Sequence, residues 1–137
     1  MCLLQKKKKI EVADEDISVW KIVKNVDEGK MLCLSPIRKI ELPLETQLPK
    51  VLLEPVQLPV DQEGRYWRFD HGYHAFLKSS VVEWAKWVWE VICGGPRIVD
   101  LEVLEATIPK GTRFAINNDG DEIVAETMII HNKPMVS

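Results

Sequence analysis

The apolar positions of this chain fall into short blocks separated by turn-forming residues. The block at 17–24, "ISVWKIVK", is rich in β-branched and aromatic residues and predicts a strand. "NVDEGK" follows, and its Asp-Glu-Gly predicts a hairpin turn into a second strand within "MLCLSP" at 31–36. Gly72 to Leu77 reads as a further strand. In "RIVDLEVLEATI" the apolar phase changes: Val99, Leu101 and Val103 share one parity, and Leu104, Ala106 and Ile108 share the other. A flip of this kind predicts a bulge near Val103. "PKGT" then makes a turn, "RFAI" a short strand, "NNDGD" a second turn and "EIVAETMII" one final strand.

The period becomes helical over 80–92. Val81, Trp84, Val88 and Val91 fall on one stripe, broadened by Ala85, Trp87 and Ile92. Ser80 and Glu83 have capping-box spacing, and "CGGP" at 93–96 stops the helix. A helix of this width is expected to lie across a sheet with its large side chains inward. Trp89 falls off the stripe and is the tryptophan expected at the surface.

Residues 36–60 have a different character, with Pro36, Pro43, Pro49, Pro55 and Pro59 separated by Leu, Val and Glu. Proline removes ladder donors and fixes φ, which excludes a central strand or a regular helix. The stretch is too apolar for a disordered linker, so it reads as an extended arm with short edge-strand pieces, wrapping the core. The expected whole is an α+β domain: a twisted, mostly antiparallel sheet, one main helix packed on it and this proline-rich arm.

Bulk properties narrow the class. At 137 residues the chain has the size of a single domain, 1–137, able to bury a core without disulfides or metal. Its 46% hydrophobic and 28% charged residues are those of a globular protein, and a net charge of -3 makes no case for nucleic acid as a partner. Cys2, Cys33 and Cys93 are far apart and form neither a CxxC nor a Cys/His ligand pattern, which fits a reduced, cytoplasmic setting. "MCLLQKKKKI" places its apolar residues before the positive charges, the reverse of a secretion signal, and reads as part of a flexible basic tail over 1–14. No run approaches the ~18 apolar residues of a membrane span.

Few constellations carry chemistry. "IPKGTRF" at 108–114 has Lys before a single Gly, strand signals on both sides and a proline without an N–H, so it is no phosphate loop. His71 and His74 are three apart, which on a strand puts them on opposite faces, and no third ligand is evident; no metal site is expected. Asp119, Asp121, Glu122 and Glu126 cluster late in the chain, with Glu122 and Glu126 of one strand parity. Paired carboxylates do acid–base work only where burial separates their pKa values; on an exposed face they only solubilise. Arg65, Tyr66, Trp67, Arg68 and Phe69 form a small basic-aromatic patch.

Taken in order, "VWKIVK", "GYHAF", a helix and "LEATIPKGTRFAI…EIVAETMII" resemble a group of short uncharacterised bacterial and phage proteins. The closing unit also resembles that of the ADP-ribosyltransferase fold, in which an "IPKGTKG"-like turn precedes the strand bearing the catalytic glutamate. The resemblance covers about two-thirds of the chain and omits the proline-rich arm. It implies NAD as the substrate, Lys21 and His74 at the nicotinamide end, Glu126 as the catalytic carboxylate, and Trp20 and Tyr73 against NAD. This chain departs from the pattern at each position. Lys21 stands where the first strand carries arginine or histidine, Ala75 stands for the serine of an "STS" motif, and Thr127, not Glu126, directly precedes "MII".

Two readings follow. The first is a small non-enzymatic cytoplasmic domain, phage-derived in origin, that needs no cofactor and binds a protein partner through a sheet edge, the arm or exposed aromatics. The alternative is a divergent NAD-dependent ADP-ribosyltransferase using Lys21, His74 and Glu126.

Overall fold

The computed structural model describes residues 3–25, 32–34, 41–58, 67–94 and 101–134. It is a mostly antiparallel α+β structure with one helix, and every strand pairing among the described residues is antiparallel. The centre is a long pair: β3 (Ile17–Asn25) runs against β9 (Leu101–Ile108) in unbroken register from Ile17↔Ile108 to Lys24↔Leu101. On the other side of β3 lie β8 (Tyr73–Phe76), β11 (Glu122–Ala125), β10 (Arg113–Ile116) and β2 (Glu11–Val12), while β12 (Ile129–Pro134) flanks β9. The hairpin partner β4 (Leu32–Leu34) pairs with β3 and with β5 (Glu41–Pro43); the turn before it lies outside the described residues.

This sheet cannot be flat. Between β11 and β12 the strand order interposes β8, β3 and β9, a separation of about 19 Å at the usual strand spacing. Yet Ala125 and Ile129 are joined by residues 126–128, which reach about 14 Å at most. The sheet therefore curls until its two ends approach. Phe114 of β10 and Ile130 of β12 accordingly meet in one buried cluster with Val19, Val23, Ala75, Leu104, Ala106, Ile108 and Ile123 on the concave face. The "IPKGTRF" corner closes the curl from β9 to β10. Gly111 takes φ +87°, which glycine adopts without steric cost, and its N–H donates to the Ala13 carbonyl at 2.8 Å.

The convex face is covered in two places. α1 (Ser79–Gly94) lays Val82 and Ala85 on Ile22, Phe76, Leu101 and Val103. A small sheet of β1 (Leu3–Gln5), β7 (Trp67–Phe69) and β6 (Val56–Gln57) sets Leu3 and Phe69, with Leu53, against Ala115 and Val124.

Two-sided burial explains the phase change in β9: Leu101 and Val103 face the helix, whereas Leu104, Ala106 and Ile108 face the concave core, in one continuous register with β3. The register irregularity lies on the neighbouring strand, where β12 steps from Ile130 opposite Ala106 to Pro134 opposite Leu104. The final block also differs from expectation. "EIVAETMII" is two strands, β11 and β12, at distant places in the sheet. The chain leaves the ladder at Glu126 and Thr127, whose side chains turn to the proline-rich segment: the Thr127 hydroxyl donates to the Leu48 carbonyl at 2.6 Å.

The described part of that segment runs beside 126–130. The N–H groups of Glu45, Leu48 and Val51 donate to the carbonyls of Ile130, Met128 and Glu126 at 2.8, 2.9 and 2.8 Å. Donors are needed only at every third residue, so Pro43 and Pro49 fall where no N–H is required. Residues 36–40 and 59–60 of the predicted arm lie outside the described residues.

The N-terminal stretch, read from the sequence as a loose basic tail over 1–14, contributes β1 and β2 instead. Leu3, Gln5 and Ala13 are buried, and the Gln5 amide donates to the Ile116 carbonyl at 2.6 Å. Alternation of Leu3 and Gln5 inward hides beneath the lysine run. Lys8 sits over the Trp67 ring at 4.9 Å, so part of the run packs on the small sheet.

Candidate functional site

The residues singled out by the transferase resemblance do not converge. Cross-strand partners share a sheet face. Lys21 pairs with Leu104, between Val19 and Val23, on the concave side; its side chain is buried and its ammonium donates to the His74 carbonyl at 2.7 Å. His74 pairs with Val124, on the convex side. Glu126 continues that parity, since its N–H donates to the carbonyl of Arg113, and its carboxylate meets the Arg113 guanidinium at 3.3 Å. Lys21 and Glu126 thus occupy opposite faces. Tyr73 packs on the concave core and donates its hydroxyl to the Pro49 carbonyl at 2.7 Å; burial raises its pKa. Trp20 pairs with Phe76 on the convex side, away from Tyr73.

Glu126 is 1% exposed, and what surrounds it is structural in kind. One oxygen accepts the Leu53 N–H at 3.0 Å, and the Lys50 ammonium lies 3.7 Å from the other. Its main-chain carbonyl accepts from Val51. The carboxylate ties the proline-rich segment to the end of β11. Among the described residues no group of three His, Cys, Asp or Glu side chains gathers that could hold a metal, and His71 and His74 stand on a turn and a strand.

The helix turns outward two of the tryptophans whose spacing predicts an inward face, while Ala85 and Val81 of the same stripe pack on the core. Trp84 and Trp87 are 66% and 64% exposed, while Val82 is fully buried and Ala85 nearly so. The helix begins at Ser79, one residue before the expected cap, with the Val82 N–H donating to the Lys78 carbonyl at 3.1 Å. Val82 and Ala85 share a face three residues apart, and small side chains let the helix approach Ile22 and Phe76 closely. Indole rings would hold it off, so they are left outward. The side chain of Trp89 lies outside the described residues. Arg65 and Tyr66 of the basic-aromatic patch also lie outside them, and Arg68 is paired with Asp70 at 2.8 Å.

Across β3, β9 and β12 the convex face opens into a cleft of about 300 Å³ lined by Ser18, Trp20, Glu105, Thr107, His131 and Lys133. Sequence reasoning passed over His131, Thr107 and Glu45. Glu45 lies in the proline-rich segment and is remote in sequence from the other two; only the segment's course along β12 brings it there.

No helix of the described residues is long and apolar enough to cross a membrane. No protein-family model, no curated protein and no solved structure matches this chain.

Proposed function

We propose that this chain is a protein-binding domain that docks through α1, inserting Trp84 and Trp87 into an apolar groove of its partner. The observation that carries this reading is the pair of indoles, 66% and 64% exposed, three residues apart on a helix whose opposite side is anchored by Val82 and Ala85. Residues spaced i, i+3 on an amphipathic helix are the anchors of helix-in-groove recognition. Tryptophan is the residue type most enriched among those that dominate interface energetics, because it buries a large rigid area for little conformational entropy. Solvent exposure of two such side chains is otherwise unfavourable by about 2 kcal/mol each.

The placement of Lys21 and Glu126 on opposite faces of the sheet favours this reading over NAD-dependent transfer, which would gather them around one nicotinamide. A photo-crosslinking residue at 84 or 87 is expected to capture one and the same protein, with no capture from the exposed position 54. Trp84→Ala combined with Trp87→Ala is expected to abolish binding of that protein while leaving the unfolding transition in place. Equal capture from position 54, or retained binding by the double variant, would overturn the proposal. Heat of NAD binding by calorimetry would instead favour the transferase reading.

A further inference from the structure

Three side chains at the edge of the cleft form a continuous relay. The carboxylate Oε2 of Glu45 lies 3.2 Å from Nδ1 of His131, and Nε2 of the same ring lies 2.8 Å from the hydroxyl of Thr107. The second carboxylate oxygen of Glu45 accepts the Asn132 N–H at 2.6 Å, which fixes the carboxylate against the ring. That N–H, and then the imidazole, hold the Glu45 carboxyl below its ordinary pKa, so it is an anion. An anion facing Nδ1 demands the proton there. Nε2 then carries the lone pair and accepts the Thr107 hydroxyl proton, the tautomer a general base needs.

The backbone shows that this arrangement is imposed. Glu45 adopts φ 57°, and it is the sole non-glycine residue with positive φ among the described residues. Such a conformation is strained for a side chain with a Cβ and persists where surrounding contacts over-determine it, commonly at functional sites. Here it lets the Glu45 N–H reach the Ile130 carbonyl at 2.8 Å while the side chain turns back to His131 and Asn132.

The relay opens onto a space that can take a substrate. Thr107 and His131 both line the 300 Å³ cleft, with the Trp20 ring as an apolar wall. Ser18 is the cross-strand partner of Thr107, and Lys133 is held by Glu105 at 3.0 Å; both line the same cleft and are donors. A nucleophile within reach of a base, a base oriented by a third group and donors beside the reacting position make up the geometry of acyl transfer.

The geometry points to a hydrolytic site for small carboxylic esters, with Thr107 as nucleophile, His131 as general base and Glu45 as the residue that positions His131. The Thr107 oxygen bonds to the ester carbonyl carbon as its proton passes to Nε2, and the carbonyl π electrons move to oxygen. Ser18 and Lys133 donate to that oxyanion. Collapse restores the carbonyl, breaks the bond to the leaving alcohol and returns the Nε2 proton to it. Water then adds to the acyl-threonine, giving its proton to Nε2. Departure of the threonine oxygen, reprotonated from Nε2, releases the acid. No oxidant, reductant or co-reactant other than water is required. This site is independent of the tryptophan face of α1.

The test uses the full chain with p-nitrophenyl acetate as probe, at matched protein concentration. Hydrolysis is expected above the buffer rate, to fall by ~100-fold or more in Thr107→Val, His131→Asn and Glu45→Gln, and to persist in Thr107→Ser. Acid quenching followed by peptide mass spectrometry is expected to find the acetyl group on Thr107. Circular dichroism confirms that each variant retains its fold, and Thr107→Ser keeps the test decisive where the valine variant unfolds. Hydrolysis at buffer rate, an undiminished rate in Thr107→Val, or acetylation confined to lysines would each overturn the assignment.

Discussion

The carboxylate of Glu126 accepts the main-chain N–H of Leu53 at 3.0 Å, across 73 residues of sequence, with its side chain 1% exposed. This bond, with Lys50 and Arg113 around the same carboxylate, joins the proline-rich segment to the point where the chain leaves one strand for another.

Glu126→Ala is expected to lower unfolding stability by about 2–3 kcal/mol, because it strands a buried N–H and removes a charged acceptor. Glu126→Gln keeps an acceptor oxygen for Leu53 and is expected to cost about 1 kcal/mol. Lys50 and Arg113 are 70% and 40% exposed, so water re-solvates them and they add little to either loss. Urea unfolding at constant m-value reads the difference; a loss under about 0.5 kcal/mol in Glu126→Ala would show that the carboxylate does not hold the segment.

Two glycines with positive φ separate backbone strain from crowding. A Cβ on Gly72, at φ +101°, would sit 2.8 Å from the Leu53 and Val124 side chains and 3.0 Å from the Ala125 carbonyl oxygen. At Gly111, φ +87°, it would meet nothing within 4 Å. Gly111→Ala is therefore expected to cost about 1 kcal/mol from conformation alone, and Gly72→Ala about 3 kcal/mol or more. Equal thermal shifts in the two variants would count against close packing at Gly72.

The two faces of α1 respond differently to truncation. Val82→Ala, at a fully buried position, is expected to destabilise by about 2 kcal/mol. Trp84→Ala, although it deletes far more side chain, is expected to change stability by no more than about 0.5 kcal/mol, since the indole is 66% exposed. A larger effect of Trp84→Ala than of Val82→Ala in chemical denaturation would reverse the assigned faces.

Glu122 supplies a pH signature. Burial, followed by the neighbouring charge of Asp121, raises its pKa above the ordinary 4.5. The folded state then binds the proton more tightly than the unfolded state, so stability falls as pH rises from about 4.5 through the raised value. Glu122→Gln is expected to be more stable than the parent at pH 7, with the advantage vanishing in acid, where both side chains are neutral. Melting curves of the two proteins at neutral and acidic pH check the sign; an advantage that persists in acid would show a cause other than ionisation.

The strand at 17–24, its hairpin partner, the helix and "RFAI" were legible because each obeys a local rule: residue choice, turn chemistry or period. What was misread had a common cause. Burial by two different partners on opposite faces of β9 looks, in one dimension, like a slipped phase. A strand that ends because a carboxylate finds an N–H 73 residues away carries no local stop signal, so "EIVAETMII" read as continuous. On the helix, apolar residues covered more than half the circumference, and periodicity alone could not say that Val82 and Ala85 would be chosen over the tryptophans.

The chain by itself determined the α+β class, the helix beginning near Ser80 and the turns at 109–112 and 117–121, because backbone preferences and short-range periodicity act within a few residues. Tertiary structure decided which face of each element is inside, where the last block breaks, and how the sheet curls. It alone brought Glu45 to His131 and Thr107, a meeting that depends on the proline-rich segment lying along β12. Contacts over such separations are selected by packing and by the satisfaction of buried polar groups, which no local pattern encodes.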